Sequence, residues 1–231
     1  MGIIFYNILV AIVGLAFSPF AVALVERYSK EQKIFTKDFW KDVKFDTKVS
    51  LALPIAYIAL LYFFGLGFSF VLNSFVATLL IISFFVDLKA QIIPNETNFI
   101  GFLVGIVLAY IKFTQDGAAG ADALLGMVTG AGIFMLIALM ALLVYRKVGM
   151  GMGDVKLMGM LGLFFGFANT VQIFVFSFFI GAIVSIFLLI TKIKKSDDYI
   201  PFGPFIVVAA FITMFLPSAT TVQFLVDNFI I

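Results

Sequence analysis

Two aspartates stand out in a chain that offers little else to do chemistry with. Asp87 lies in Phe84-Phe-Val-Asp87-Leu-Lys-Ala-Gln-Ile-Ile-Pro94-Asn95, and Asp154 lies in Gly149-Met-Gly151-Met-Gly153-Asp154-Val-Lys156. Each borders a long apolar stretch. An ionisable side chain near a bilayer core is costly, and it usually faces a protein interior or a wet cavity. The chain contains no histidine and no cysteine. That excludes Ser-His-Asp and Cys-His catalysis, disulfides and Cys/His zinc sites. Acid–base work near neutral pH therefore falls to Asp, Glu, Lys, Tyr or water.

Two aspartates brought close cannot both ionise easily, so they share a proton. The charged member can take a proton from water while the protonated member donates to a carbonyl oxygen. Such a pair hydrolyses a peptide bond without a covalent intermediate. Spacing alone leaves a plainer reading open. Asp154 can simply cap a helix start, where the positive dipole end favours a carboxylate, with Lys156 snorkelling beside it. Asp87 can simply be an interfacial charge next to Lys89.

The elements that must position these residues are membrane helices. Of 231 residues, 63% are hydrophobic and 12% charged, with a mean hydropathy of +1.18; a soluble domain carries about 25% charge. This composition excludes a soluble globular protein and a disordered chain, and predicts an all-α, polytopic integral membrane protein. A net charge of +2 implies no large basic surface, so nucleic acid is not an expected partner. The lipid bilayer is one, and the 31 phenylalanines suit lipid-facing and helix-packing surfaces.

Spans of about 20 apolar residues are expected over Ile3–Val25, twice within Val49–Val86, and over Phe99–Thr114, Ala123–Tyr145, Val155–Phe167, Thr170–Ile190 and Phe205–Val226. The total is eight, in one membrane domain over residues 1–231. The second and third are divided between Gly65 and Asn73, the sixth and seventh at Gly166-Phe-Ala-Asn169. Ile3–Val25 lacks the basic start and small-residue site of a cleaved leader.

Orientation follows the positive-inside rule. If the polar stretch Glu26–Lys48 is a cytoplasmic loop, alternation puts Lys89, Arg146, Lys147, Lys156, Lys192, Lys194 and Lys195 on the same side. Of the fifteen basic residues only Lys112 is then an exception, and it can snorkel. Both termini lie outside, and Asp87 and Asp154 fall at the cytoplasmic ends of their helices. Pro94 cannot continue a helix, and Gln91, Asn95 and Asn98 keep that connection polar. Gly149, Gly151 and Gly153 permit close backbone approach.

Gly151-Met-Gly153-Asp154-Val-Lys156-Leu resembles the glycine-x-glycine-aspartate signature of type IV prepilin peptidases, the prepilin leader peptidases of the GxGD aspartic protease class. Asp87 followed by Ile93-Pro94 resembles their first aspartate segment, and Pro201-Phe-Gly203-Pro204-Phe205 their proline-phenylalanine-glycine-proline segment. The three appear in the family's order. The resemblance implies a multi-pass membrane aspartic protease in the cell's inner or plasma membrane. Its implied substrate is a type IV prepilin or pseudopilin precursor, cut at the cytoplasmic face between a basic leader and an apolar helix. Asp87 and Asp154 carry over as the catalytic pair. Gly151 and Gly153 carry over as backbone-shaping residues, and Pro94, Pro201, Gly203 and Pro204 as shapers of the chain. A helix entry accounts equally for the last three. Lys156 matches a motif position without a derivable role.

The chain departs from the family twice. Asn95 stands where members often have Asp after the proline. Bifunctional members carry a tetracysteine zinc segment and methylate the mature pilin with S-adenosylmethionine; here Glu26–Lys48 is short and cysteine-free. The resemblance therefore supports cleavage better than N-methylation. No cofactor is expected for the peptidase, and S-adenosylmethionine only if methylation is retained. Glu26, Glu31, Asp38, Asp42, Asp46 and Glu96 are candidates to hold a basic leader, though a charged loop is more often a solvated surface. The rival readings are a proton- or cation-coupled transporter using the two aspartates and a noncatalytic pilus-assembly component. Against transport, the acids cluster at one face, without paired broken spans. No Pro-Ala-Leu segment points to presenilin-like proteases, and no serine is spaced for a Ser-Lys hydrolase. Oligomeric state is not legible.

Overall fold

A computed structural model describes residues 2–32, 36–146, 150–195 and 198–225. Among these residues the chain is helical throughout, without strands: α1 Gly2–Ser29, a 3₁₀ turn Lys37–Asp42, α2 Thr47–Phe64, α3 Phe68–Ala90, α4 Asn95–Gln115, α5 Gly117–Tyr145, α6 Met152–Ile190, α7 Gly203–Phe215 and α8 Ser218–Leu225. Six are long and apolar enough to cross a membrane, and α7 is shorter. The chain packs as two compact units, Met1–Thr97 and Asn98–Ile231.

In the first unit α1, α2 and α3 pack on one another. A Cβ on Gly14 of α1 would sit 2.7 Å from the Pro54 Cα of α2, so the bare backbone lets these helices touch. Tyr57 and Thr78 share a 2.7 Å hydrogen bond between α2 and α3. The turn between α2 and α3 is confined to Gly65–Gly67. Asn73 stands inside α3, its amide donating to the Ser69 carbonyl.

The polar end of this unit is built around Arg27, which is 4% exposed. Its Nε donates to Asp42 at 2.7 Å, its Nη1 to the Thr36 hydroxyl, and its guanidinium lies 5.4 Å from the centre of the Phe39 ring. A planar fork that bonds and stacks at once is what guanidinium offers and ammonium does not. Arg27→Lys should therefore destabilise this clasp by about 1–3 kcal/mol. Trp40 is the chain's one tryptophan and sits beside Phe39 at 5.8 Å. Its fluorescence during a thermal melt in detergent should show the turn releasing at lower temperature.

In the second unit α5 and α6 form the main packing pair. The helix α6 is broken at Gly166, whose φ of 75° and ψ of 179° belong to a region open only to glycine. A Cβ on Gly130 would meet both the Met158 carbonyl at 2.5 Å and the Thr170 methyl at 3.0 Å. A continuous helix would hold those two residues about 18 Å apart, so the chain turns back on itself at Gly166. The first half, 152–165, runs antiparallel to α5, with Gly162 against Gly126 and Met158 against Gly130. The second half, 167–190, runs along α5 in the same direction, with Thr170 beside Gly130 and the Phe174 and Phe178 rings 5.9 and 6.0 Å from Phe134.

The break matches the division expected near Gly166. It yields eight apolar helical segments among the described residues, two of them, 152–165 and α7, short of a full crossing. The ends it exposes are bonded from other helices. Lys112 Nζ of α4 lies 3.4 Å from the Phe164 carbonyl, and Asp122 of α5 accepts from the Phe167 N–H at 3.1 Å. Inside a bilayer such backbone groups must be satisfied by protein.

The last span expected over Phe205–Val226 is interrupted. α7 ends at Phe215 and α8 restarts at Ser218, because Pro217 has no N–H to continue the ladder. Asn169 Oδ1 accepts the Ser218 N–H at 2.7 Å, and Gln172 Nε2 donates to the Leu216 carbonyl at 2.6 Å. Val226 lies outside the described residues.

Candidate active site

In the first unit Asp87 occupies the last turn of α3 and is 4% exposed. The helix stops because Gln91 turns left-handed (φ 59°), its N–H returning to the Asp87 carbonyl at 2.9 Å. A helix C-terminus is the negative end of the dipole, so helix energetics gives no reason for a carboxylate there. Lys89, two residues on, is engaged elsewhere: its Nζ meets Glu26 of α1 at 2.6 Å. One turn before Asp87, the Ser83 hydroxyl lies 3.4 Å from that of Thr97, which donates to the Pro94 carbonyl at 2.9 Å. Pro94 is buried and immediately precedes α4.

In the second unit Asp154 lies in the first turn of α6 and is 5% exposed. Its N–H bonds back to the Gly151 carbonyl at 3.1 Å. Gly151 is the N-cap and offers no capping side chain; a Cβ there would stand 3.2 Å from Asp154 Oδ2. The glycine thus keeps space over the carboxylate. Gly153 is half-buried in the same turn, and Lys156 is exposed. Gly149 lies outside the described residues.

The packing register also places the proline-glycine segment. Gly162 against Gly126 and Met158 against Gly130 bring Asp154 level with Phe134. The Phe134 ring lies 5.9 Å from that of Phe202, which also contacts Phe178 at 4.9 Å. Pro201-Phe202-Gly203-Pro204 therefore lies toward the same end of this unit as Asp154. Its form is a helix entry: Gly203 and Pro204 are buried and open α7, where the missing proline N–H costs nothing.

Several acidic residues considered for a basic ligand have structural work instead. Glu26 pairs with Lys89 and Lys30, Asp42 with Arg27, and Asp46 caps α2 by accepting from Lys48 and Val49 N–H groups. Glu31 and Glu96 are exposed, and the Asp38 side chain lies outside the described residues. Residue types alone did not single out Lys112 and Asp122 as end-bonding groups. Lys112 falls inside the expected span Phe99–Thr114 and Asp122 just before Ala123–Tyr145, and neither position names the distant backbone group that it bonds.

Comparison with known proteins finds a family to which the middle of the chain is similar. The model of the type IV leader peptidase family matches residues 74–186, a stretch holding Asp87, Pro94, Gly151, Gly153 and Asp154 and ending before Pro201. The chain is 31% identical over 134 residues to a prepilin leader peptidase/N-methyltransferase of Legionella pneumophila, covering 57% of this chain and 45% of that protein. It is 30% identical over 142 residues to the protein of that name from Myxococcus xanthus, covering 62% and 42%. For the Xanthomonas campestris protein the identity is 25% over 167 residues, covering 72% and 57%. The chain spans about half the length of the curated relatives it matches. No solved structure matches it. Both aspartates lie inside the matched stretch, so over residues 74–186 the chain is similar to the type IV leader peptidase family.

Proposed function

We propose that this chain is a membrane-embedded aspartic endopeptidase that removes the basic leader from type IV prepilin or pseudopilin precursors, at the cytoplasmic face of the cell membrane. The observation that carries this reading is the pair of buried aspartates, Asp87 and Asp154, each at a helix end and both inside the family-matched stretch. With histidine and cysteine absent, carboxyl chemistry is the route the side chains support.

In the proposed reaction one aspartate is charged and the other protonated. The carboxylate takes a proton from water as the water oxygen bonds to the scissile carbonyl carbon. The carboxylic acid donates its proton to the carbonyl oxygen, giving a neutral tetrahedral intermediate. Collapse breaks the C–N bond, with a proton passing from the aspartates to the leaving nitrogen. Gly151 leaves room above Asp154 for this exchange. The precursor's apolar helix stays in the bilayer while its leader junction lies extended at the interface, where water is at hand.

The relatives' printed name includes N-methyltransferase. We assign no residue of this chain to S-adenosylmethionine, and the cleavage steps derive from its own side chains. The test is intact-mass analysis of a prepilin incubated with the purified protein in lipid. The expected product has lost its leader and gains no methyl group when S-adenosylmethionine is supplied. An uncut precursor would refute the peptidase reading, and a methylated product would restore the second activity.

A further inference from the structure

Asn98 is 2% exposed, and neither its Nδ2 nor its Oδ1 meets a hydrogen-bond partner in the protein. A primary amide carries two donors and an acceptor, and native interiors seldom leave such groups unpaired without a reason. Two buried helix hydroxyls, Ser50 and Ser74, share the condition. A hydroxyl can swing to a carbonyl one turn back, as Thr78 does to Ser74. The planar amide of Asn98 has no such local outlet for all three groups.

Its position is specific. Asn98 is the fourth residue of α4 and belongs to the second unit. There α4 runs parallel to the first half of α6. A Cβ on Gly159 would meet the tip of Phe102 at 3.2 Å, and one on Gly105 would meet Leu163 at 2.9 Å. Carried back one turn, that offset brings Asn98 level with Val155, the residue after Asp154.

We infer that Asn98 binds the backbone of the substrate: its carboxamide pairs with a peptide group of the extended segment being cut. This rests on the peptidase reading above. A peptide drawn to the edge of a bilayer needs its N–H and C=O satisfied. A side-chain amide supplies the complementary acceptor and donor in one plane. Reading backbone makes the contact indifferent to the substrate's side chains, and a neutral amide takes no part in proton transfer.

The test uses Asn98→Leu, which keeps the size and removes the polar groups. The full chain in lipid is given a synthetic precursor with a basic leader and an apolar helix. The expected result is a fall in kcat/KM of about 10- to 100-fold, with an unshifted pH profile and a melting temperature that holds or rises. A second series replaces single peptide links around the cut by esters, deleting one N–H at a time. At the contacted link, Asn98→Leu should lose most of its effect, a non-additivity that reports direct contact. Undiminished turnover by Asn98→Leu, a lowered melting temperature that explains the loss, or strict additivity at every link would each overturn the inference. A wild-type chain that leaves the precursor whole would bring it down together with the peptidase reading.

Discussion

Asp87→Asn and Asp154→Asn should each cut a prepilin about a thousandfold more slowly than the wild-type chain, or not at all, while inserting and folding at normal yield. The amide keeps the size of the carboxyl group and most of its hydrogen bonding, but it can neither take a proton from water nor deliver one to a carbonyl oxygen. If the two residues act as one unit, the double variant should be no slower than either single one, since losses within a catalytic unit do not add. Leader removal followed by mass in detergent or lipid measures this. The fold makes the comparison clean in one respect. Asp87 sits at a helix C-terminus, where the dipole gives a negative charge no support, and it is 4% exposed. The end of α3 by itself therefore gives no account of a carboxyl group at this position. Asp154, at a helix start, lacks that argument and leans on Gly151, which leaves its Oδ2 uncrowded. Full turnover by either single variant would defeat the pairing.

Much of this architecture was legible in the chain because membrane helices announce themselves by length and hydropathy. The division of α6 was readable from Gly166 followed by Phe-Ala-Asn169, and Gly166 does adopt a glycine-only conformation. What the sequence hid was mostly long-range and polar. Nothing local tells that Lys112 reaches the Phe164 carbonyl or that Asp122 meets the Phe167 N–H, since each bonds a helix distant in sequence. Glu26, Asp42 and Asp46 read as a solvated acidic surface, and only packing showed them spent on Lys89, Arg27 and the start of α2. The last span was overread because its apolar composition runs through Leu216-Pro217, whereas the backbone cannot. Asn98 was visible only as a polar residue in a connection. That its amide is buried without a protein partner is a property of the fold.

Gly162→Ala should destabilise the chain by about 3 kcal/mol and take peptidase activity with it, although one methyl group is added to a helix that would ordinarily welcome alanine. Helix propensity favours alanine over glycine by about 1 kcal/mol, so the sign of the effect decides whether packing or propensity rules here. The geometry says packing. A Cβ at Gly162 would fall on the backbone of Gly126 and Met127, and one at Gly126 on the backbone of Gly162 and Gly166. Neither neighbour is a flexible side chain that could step aside, so α5 and the first half of α6 would have to part. In a bilayer, where helices associate through close contact rather than by escaping water, losing that approach weakens the pair. Asp154 rides on the displaced segment, two turns from Gly162, which is why activity should fall alongside stability. Gly132, also on α5, is the control: a Cβ there finds nothing within 4 Å. Gly132→Ala should leave cleavage unchanged and hold or slightly raise the melting temperature. Thermal melts of both variants in the same detergent read the contrast directly. Equal melting temperatures would mean that α5 and α6 do not approach at Gly126 and Gly162, and the register that sets Asp154 level with Phe134 would lose its anchor.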